Sequence, residues 1–331
     1  GRVAAITARA ARSRSGSGPS ARWRATAAAA RRADVRGGGS VTDAMVAHGS
    51  GTDPTYDRPV IPSGPLLALD RWPVERAAAA IVTADGVVAA HGDVDEPFAL
   101  ASVTKPLFAS ALLVAVEEEV VGLDDPAGPR GATVRHLLAH ASGLGLDGGE
   151  LARPGRRRIY SNAGYDALGH VLHRAADLTP DAYLAEAVIE PLGLSATELR
   201  GSPASGGRSS VTDLARWLVT FVSPGALLAP GTVTEATTVA FPGLDGLVPG
   251  YGKQSPNDWG LGFEIRGHKD PHWTAPGNSP ATFGHFGRAG TFVWVDPALA
   301  AGLIVLTDRE FGDWCLPRWP AVSQAVVDHL A

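Results

Sequence analysis

The sequence predicts an α+β fold: an antiparallel β-sheet flanked by helices, with a helical lobe inserted into it. Three observations lead there. Short β-rich runs stand near both ends of residues 61–331; helix-period segments fill about 122–240; and a long apolar helix follows the first hairpin. Strands at both ends with helices between them put both ends of the fold into one sheet. The expected division is a tail over 1–60 and one domain over 61–331. Within that domain a sheet lobe spans about 61–121 and 241–331, and a helical lobe spans about 122–240.

Hydrophobic residues make up 45% of the 331 and charged ones 19%, enough for one large core or two lobes. Residues 1–50, rich in Ala, Arg, Ser and Gly, lack the apolar content for a core and are expected to be disordered. Charge is uneven: residues 1–40 hold nine Arg and one Asp, so the other residues carry a net charge of −13. That sign argues against a nucleic-acid-binding body. A single cysteine, Cys315, excludes an intrachain disulfide and a cysteine-rich zinc site, and reads as a packed residue beside Trp314. No run of 18 apolar residues predicts a membrane span. No signal-peptide pattern opens the chain, which gives a cytoplasmic location as the expectation.

The elements follow in order. Pro65–Trp72 reads as a short helix. Ala78–Ala84 and Val87–His91 flank Asp85-Gly86, a strong hairpin signal. Leu107–Val120 is a buried helix. Thr133–His140 is a short amphipathic helix with Thr133 as its cap; His136 and His140 stand i,i+4 on it, but the glutamate of H-E-x-x-H is missing and no metal site is read there. Ala163–Ala176, Pro180–Ile189 and Val211–Val222 are helices, the last capped by Ser210 or Thr212. Trp259–Arg266, Ala281–Phe286, Thr291–Val295 and Leu303–Thr307 are strands, and Trp319–Leu330 is the closing helix. The loop His268-Lys269-Asp270-Pro271-His272-Trp273 has ligand-type residues but reads as a shaped surface or pocket rim rather than a metal site.

Chemistry concentrates in three stretches. Ser102 and Lys105 stand three apart, so a helix presents them on one face. Pro106 places the helix start at or near Ser102, because proline sits well only in a first turn. The hydroxyl then lies at the positive helix end, beside unpaired N–H groups. A serine hydroxyl needs a base, and a lysine serves only when its pKa is lowered. Tyr160-Ser161-Asn162 and Gly284-His285-Phe286-Gly287 are the other two stretches. A tyrosinate near pH 7 would need positive charge from Lys105 or His285. Gly287 lets a strand approach substrate closely, and the N–H groups of Ser102 and Arg288 are the candidate oxyanion hole.

In this order the segments resemble the class C β-lactamase-like serine hydrolases, a group with D-alanyl-D-alanine carboxypeptidases, D-aminopeptidases and family VIII esterases. The resemblance covers about residues 65–331. It rests on Ser102-Val103-Thr104-Lys105, Thr133–Leu144 (TVRHLLAHASGL), Tyr160–Tyr165 (YSNAGY), Pro191–Leu194 (PLGL) and His285-Phe286-Gly287. It implies a β-lactamase/transpeptidase-like fold and no cofactor or metal. Ser102 matches the acyl-forming nucleophile, Lys105 the lysine bonded to it, and Tyr160 the tyrosine that takes or returns the proton. Asn162, His285 and Gly287 match substrate-binding positions. The third motif departs from Lys-Thr-Gly: His285 removes a permanent charge and Phe286 a hydroxyl donor, with Arg288 as a replacement charge if it points inward. The resemblance therefore implies a serine hydrolase working through an acyl-enzyme on an ester, amide or small peptide, with β-lactams disfavoured. The competing readings are a non-catalytic sensor that binds a peptide or acyl ligand, and an acyltransferase.

Overall fold

A computed structural model of the chain describes residues 64–331. The expected tail, including the disorder read for 1–50, lies outside the described residues. A 3₁₀ helix, Gly64–Arg71, leads into the hairpin of β1 (Ala77–Thr83) and β2 (Gly86–His91). Next come β3 (Phe98–Ala99), a 3₁₀ turn at Ala101–Val103 and α1 (Thr104–Glu117). The middle of the chain holds α2 (Val134–Leu138), α3 (Asn162–Ala176), α4 (Pro180–Leu184), a π-turn at Ala185–Ile189 and α5 (Glu190–Leu192). Then follow β4 (Glu198–Leu199), β5 (Gly207–Ser209), α6 (Val211–Val222) and α7 (Pro230–Ala236). β6 (Gly246–Val248) and β7 (Gly252–Gln254) form a small hairpin, followed by β8 (Glu264–Ile265), β9 (Phe283–Gly287), β10 (Thr291–Asp296), β11 (Ala301–Thr307) and α8 (Cys315–Leu330).

The main sheet runs β2-β1-β11-β10-β9-β8 and every pairing is antiparallel. The α+β expectation is met, with early and late strands joined through β1 and β11, Ala77 opposite Thr307. Both faces of the sheet are covered, so β1 and β11 read as nearly continuous apolar runs. Side-chain alternation divides the core. Ala78, Ala80, Val82, Val293, Ile304 and Leu306 join α1 and α6 on one face. Ala79, Ile81, Phe292, Trp294, Leu303 and Val305 join Gly64–Arg71 and α8 on the other, around Trp319 and Val322. α1 is apolar nearly all round because it is enclosed on nearly every side: Thr104 to Ala115 are all buried.

Caps explain several boundaries. Ser161 Oγ accepts from the Gly164 N–H at 2.9 Å, so α3 starts one residue earlier than read. Ser210, not Thr212, caps α6 through the Asp213 N–H at 3.2 Å. Two expectations need correcting. Trp259–Arg266 forms only the two-residue β8, with an isolated bridge between Trp259 and Glu264. α2 stops at Leu138, and His140 has a left-handed φ of +54°. His136 and His140 therefore do not share a helix face: His136 bonds Thr133 Oγ1 at 2.9 Å while His140 turns into the core. Cys315 is buried, and burial pushes its thiol up to about 12. Among the described residues no helix is long and apolar enough to cross a membrane.

Candidate active site

The segment around Ser102 is stapled from three sides. Leu100 N–H donates to the Gly207 carbonyl of β5 at 2.9 Å, and Thr291 of β10 donates its hydroxyl to the Leu100 carbonyl at 2.9 Å. The Thr104 hydroxyl donates to the Ala101 carbonyl at 2.6 Å and accepts the Gly207 N–H at 2.8 Å. Ala101, just before Ser102, has φ +45°, a left-handed conformation an alanine adopts only under constraint. These bonds supply the constraint. Ser102 therefore sits on a tight elbow rather than on a regular helix, and α1 begins two residues later.

Lys105 follows in the first turn of α1 and is completely buried. Its Nζ reaches Ser102 Oγ at 3.1 Å, Asn162 Oδ1 at 2.8 Å and the Ala204 carbonyl at 2.9 Å. All three partners are neutral, so nothing in contact repays the cost of burying a charge. Burial pushes Lys105 down to about 7; the more distant Asp166 opposes this only in part. On losing its proton the amine still donates to Asn162 and Ala204. Its one lone pair is then left for the Ser102 hydroxyl proton.

Tyr160 precedes the cap of α3, and the Ser102 side chain is near enough to act on its phenol. The Lys105 amine lies over the Tyr160 ring, 4.6 Å from its centroid, not at the phenol oxygen. Burial pushes the phenol well above its ordinary value, and the nearby Ser102 side chain opposes this only in part. The tyrosinate anticipated from the sequence is not the resting state here: the field that would create one is lacking, and the lowered base is the lysine.

His285 on β9 is buried, its ring 5.8 Å from that of Tyr160. Burial, with Lys105 adding to it, pushes the imidazole down to about 3, so it is neutral at physiological pH. Gly287, two residues on, points to the same face. A Cβ there would stand 2.3 Å from the Leu100 carbonyl and 3.1 Å from the Ser102 nitrogen, so only glycine lets β9 run beside the elbow. This closeness sets the Gly287 backbone beside the Ser102 elbow.

Two readings of the third motif are corrected. Phe286 points to the opposite face of the sheet, among Tyr251, Trp273, Phe311 and Trp319, and offers nothing to a substrate. The Arg288 side chain is 79% exposed and lies 3.5 Å from Glu310, so it does not replace the missing inward charge; only its N–H faces the question of an oxyanion. The 268–273 loop is not a pocket rim. His268 and Asp270 are exposed, whereas Lys269, His272 and Trp273 are buried against Glu264. Among the described residues no group of three or more His, Cys, Asp or Glu is arranged to hold a metal.

Ser102, Lys105, Asn162 and Tyr160 thus converge, with His285 and Gly287 on the adjoining strand. Three further contributors were not read as site residues from the sequence. The Ala204 carbonyl is held by its own N–H on Ser202 Oγ at 3.1 Å, and Ser202 donates to Asp166 at 2.6 Å. Thr104 fixes the elbow. His140, noticed in the sequence for its spacing to His136, packs against Tyr160 instead.

Comparison with known proteins places the chain in a family. The Beta-lactamase family model matches residues 73–325. A β-lactamase from Mycobacterium bovis is 54% identical in solved structure, with a TM-score of 0.79 over 81% of this chain and 99% of that one. An octameric penicillin-binding protein homologue from Pyrococcus abyssi shares the fold at 19% identity and TM-score 0.65, over 80% of this chain and 76% of that one. Penicillin-binding protein 4* of Bacillus subtilis is 25% identical over 186 residues, 45% of this chain and 40% of that relative, so the match spans well under half of its length. On the family match, which covers most of the chain, this protein belongs to the Beta-lactamase family.

Proposed function

We propose that the protein is a serine hydrolase that works through an acyl-enzyme on an ester, amide or small peptide. One observation carries the reading: a lysine with no acidic partner in contact, held near pH 7 by burial, touches the hydroxyl of Ser102. A sensor of the same fold has no use for such an amine, whose burial costs stability. In the proposed reaction neutral Lys105 takes the Ser102 proton as Oγ attacks the carbonyl. The N–H groups of Ser102 and Arg288 receive the oxyanion. Tyr160, protonated at rest, gives its proton to the leaving group, and solvent returns one to the phenol as Lys105 sheds the proton it took from Ser102. Water then attacks the ester, loses its proton to the same pair, and frees Ser102. Asn162 holds the amine and a substrate amide, and His285 and Gly287 line the cleft. The neutral His285 offers no charge to a β-lactam carboxylate, which favours plain esters and peptides.

The test is a fluorophosphonate probe with intact-mass detection, followed by turnover of chromogenic short-chain esters and a cephalosporin. The wild-type protein gains one adduct on Ser102 and turns over esters faster than the cephalosporin, while Ser102→Ala does neither. Ester turnover that persists in Ser102→Ala rejects the nucleophile. Since the 54% identical Mycobacterium bovis protein bears the name β-lactamase, faster cephalosporin turnover would reject the ester preference alone.

A further inference from the structure

We propose that His140 is a positioning residue for Tyr160, clamping the tyrosine's backbone on both sides and its ring from one face; this rests on the acyl-enzyme reading above. The carbonyl of His140 accepts the Ile159 N–H at 2.9 Å. Its Nδ1 accepts the Ser161 N–H at 3.2 Å. One residue thus fixes the amides on either side of Tyr160. Its ring lies 4.6 Å from the Tyr160 ring, and the Trp259 ring meets it edge-on at 4.6 Å and 87°. His140 is 1% exposed, so this packing leaves little room for the phenol to drift.

The left-handed φ of +54° belongs to the same device. A histidine following a helix in ordinary conformation would send its ring along the helix face, as His136 does. The left-handed turn sends it inward and aims its carbonyl back at Ile159. Such a conformation in a non-glycine residue costs energy, and here three contacts to one segment offset it.

The contacts also fix the proton. Because Nδ1 accepts from Ser161, the hydrogen of neutral His140 is on Nε2. His285 is the complement: its Nδ1 lies 2.7 Å from the Phe286 carbonyl, which only accepts, so its hydrogen is on Nδ1 and Nε2 is bare. Both Nε2 atoms are buried without a protein partner, and both rings adjoin Tyr160 and Trp259. A donor and an acceptor thus belong to the one cluster that walls the phenol.

A double-mutant cycle tests the proposal, with kcat expressed per site titrated by the fluorophosphonate so that unfolded protein is not counted. His140→Ala is expected to lower kcat about 100-fold, the effect of a displaced catalytic group, with KM little changed. His140→Asn retains a left-handed turn and an acceptor at the Nδ1 position, and is expected to stay within about tenfold of wild type. In a Tyr160→Phe background His140→Ala should add less than about threefold, because its target is gone. Nitrogen-15 spectra should show the Nε2–H form at His140 and the Nδ1–H form at His285. An unchanged kcat per titrated site in His140→Ala, or an equal loss in both backgrounds, overturns the proposal while the wider reading stands. An unchanged kcat in Tyr160→Phe removes Tyr160 from the reaction and takes the proposal with it.

Discussion

Two lysines of this protein are buried, and their surroundings differ in one respect. Lys105 touches a hydroxyl, an amide oxygen and a backbone carbonyl, all neutral. Lys269 lies 3.4 Å from the Glu264 carboxylate, and also donates to the carbonyls of Asp258 and Ile265. Burial lowers both amines, but at Lys269 the Glu264 charge opposes it directly. Burial alone would raise Glu264; Lys269 and His272, with the Trp273 indole N–H, overcome it and hold the carboxyl down to about 2. One buried ammonium thus has its counter-ion and ties a loop to β8. The other lacks a counter-ion in contact and is free to give up its proton. The same side chain becomes a fastening or, in the proposed reaction, a base according to whether an acid stands beside it.

The comparison is broken most severely at Lys105. Lys105→Met should lower kcat/KM by about 10³- to 10⁴-fold, the upper range for loss of a general base. The same change should raise the melting temperature, because an uncompensated amine leaves the core. The sign follows from linkage: the folded value near 7 lies below the unfolded value near 10.4, so the penalty is complete below pH 7 and fades as pH rises toward the latter. Thermal unfolding of both proteins across pH 6–10 measures it.

Glu264→Gln comes next. It leaves Lys269 charged and unpaired in the core and should cost about 3–5 kcal/mol in denaturant unfolding. The double change Glu264→Leu with Lys269→Met should recover much of that loss. Equal destabilisation by the single and double changes would show that Lys269 does not depend on its partner.

The smallest effect sharpens the contrast without mutation. With Lys105 as the base, kcat/KM for an ester should fall about tenfold per pH unit below about 7 and level off above it. His285, lowered by burial to about 3, should add no limb between pH 5 and 9. A flat profile down to pH 5 would remove Lys105 as the titrating base.

Much of this was legible beforehand because local chemistry wrote it. Asp85-Gly86 marked the first hairpin, and the three-residue spacing of Ser102 and Lys105 placed both groups together. Where the reading went astray, the cause was of two kinds. Some contributors are backbone groups brought from afar: the Ala204 carbonyl stands 99 residues from the amine it meets, and no residue type announces it. Elsewhere the information was present but unused. His285 and Phe286 are neighbours on a strand, and neighbours on a strand face opposite ways; the period of two already excluded both from one cleft. The Glu264 network lay between these cases, for His272 and Lys269 looked like loop-surface residues until the sheet edge was built around them.

The register of β1 against β11 has a consequence for how the molecule comes into being. Ala77 is translated some 230 positions before its partner Thr307, and β9, which runs beside the Ser102 elbow, is finished only at residue 287. Until then the Ser102 hydroxyl exists without the strand that adjoins it. On the proposed reading, a message cut short anywhere before β9 yields an inactive product.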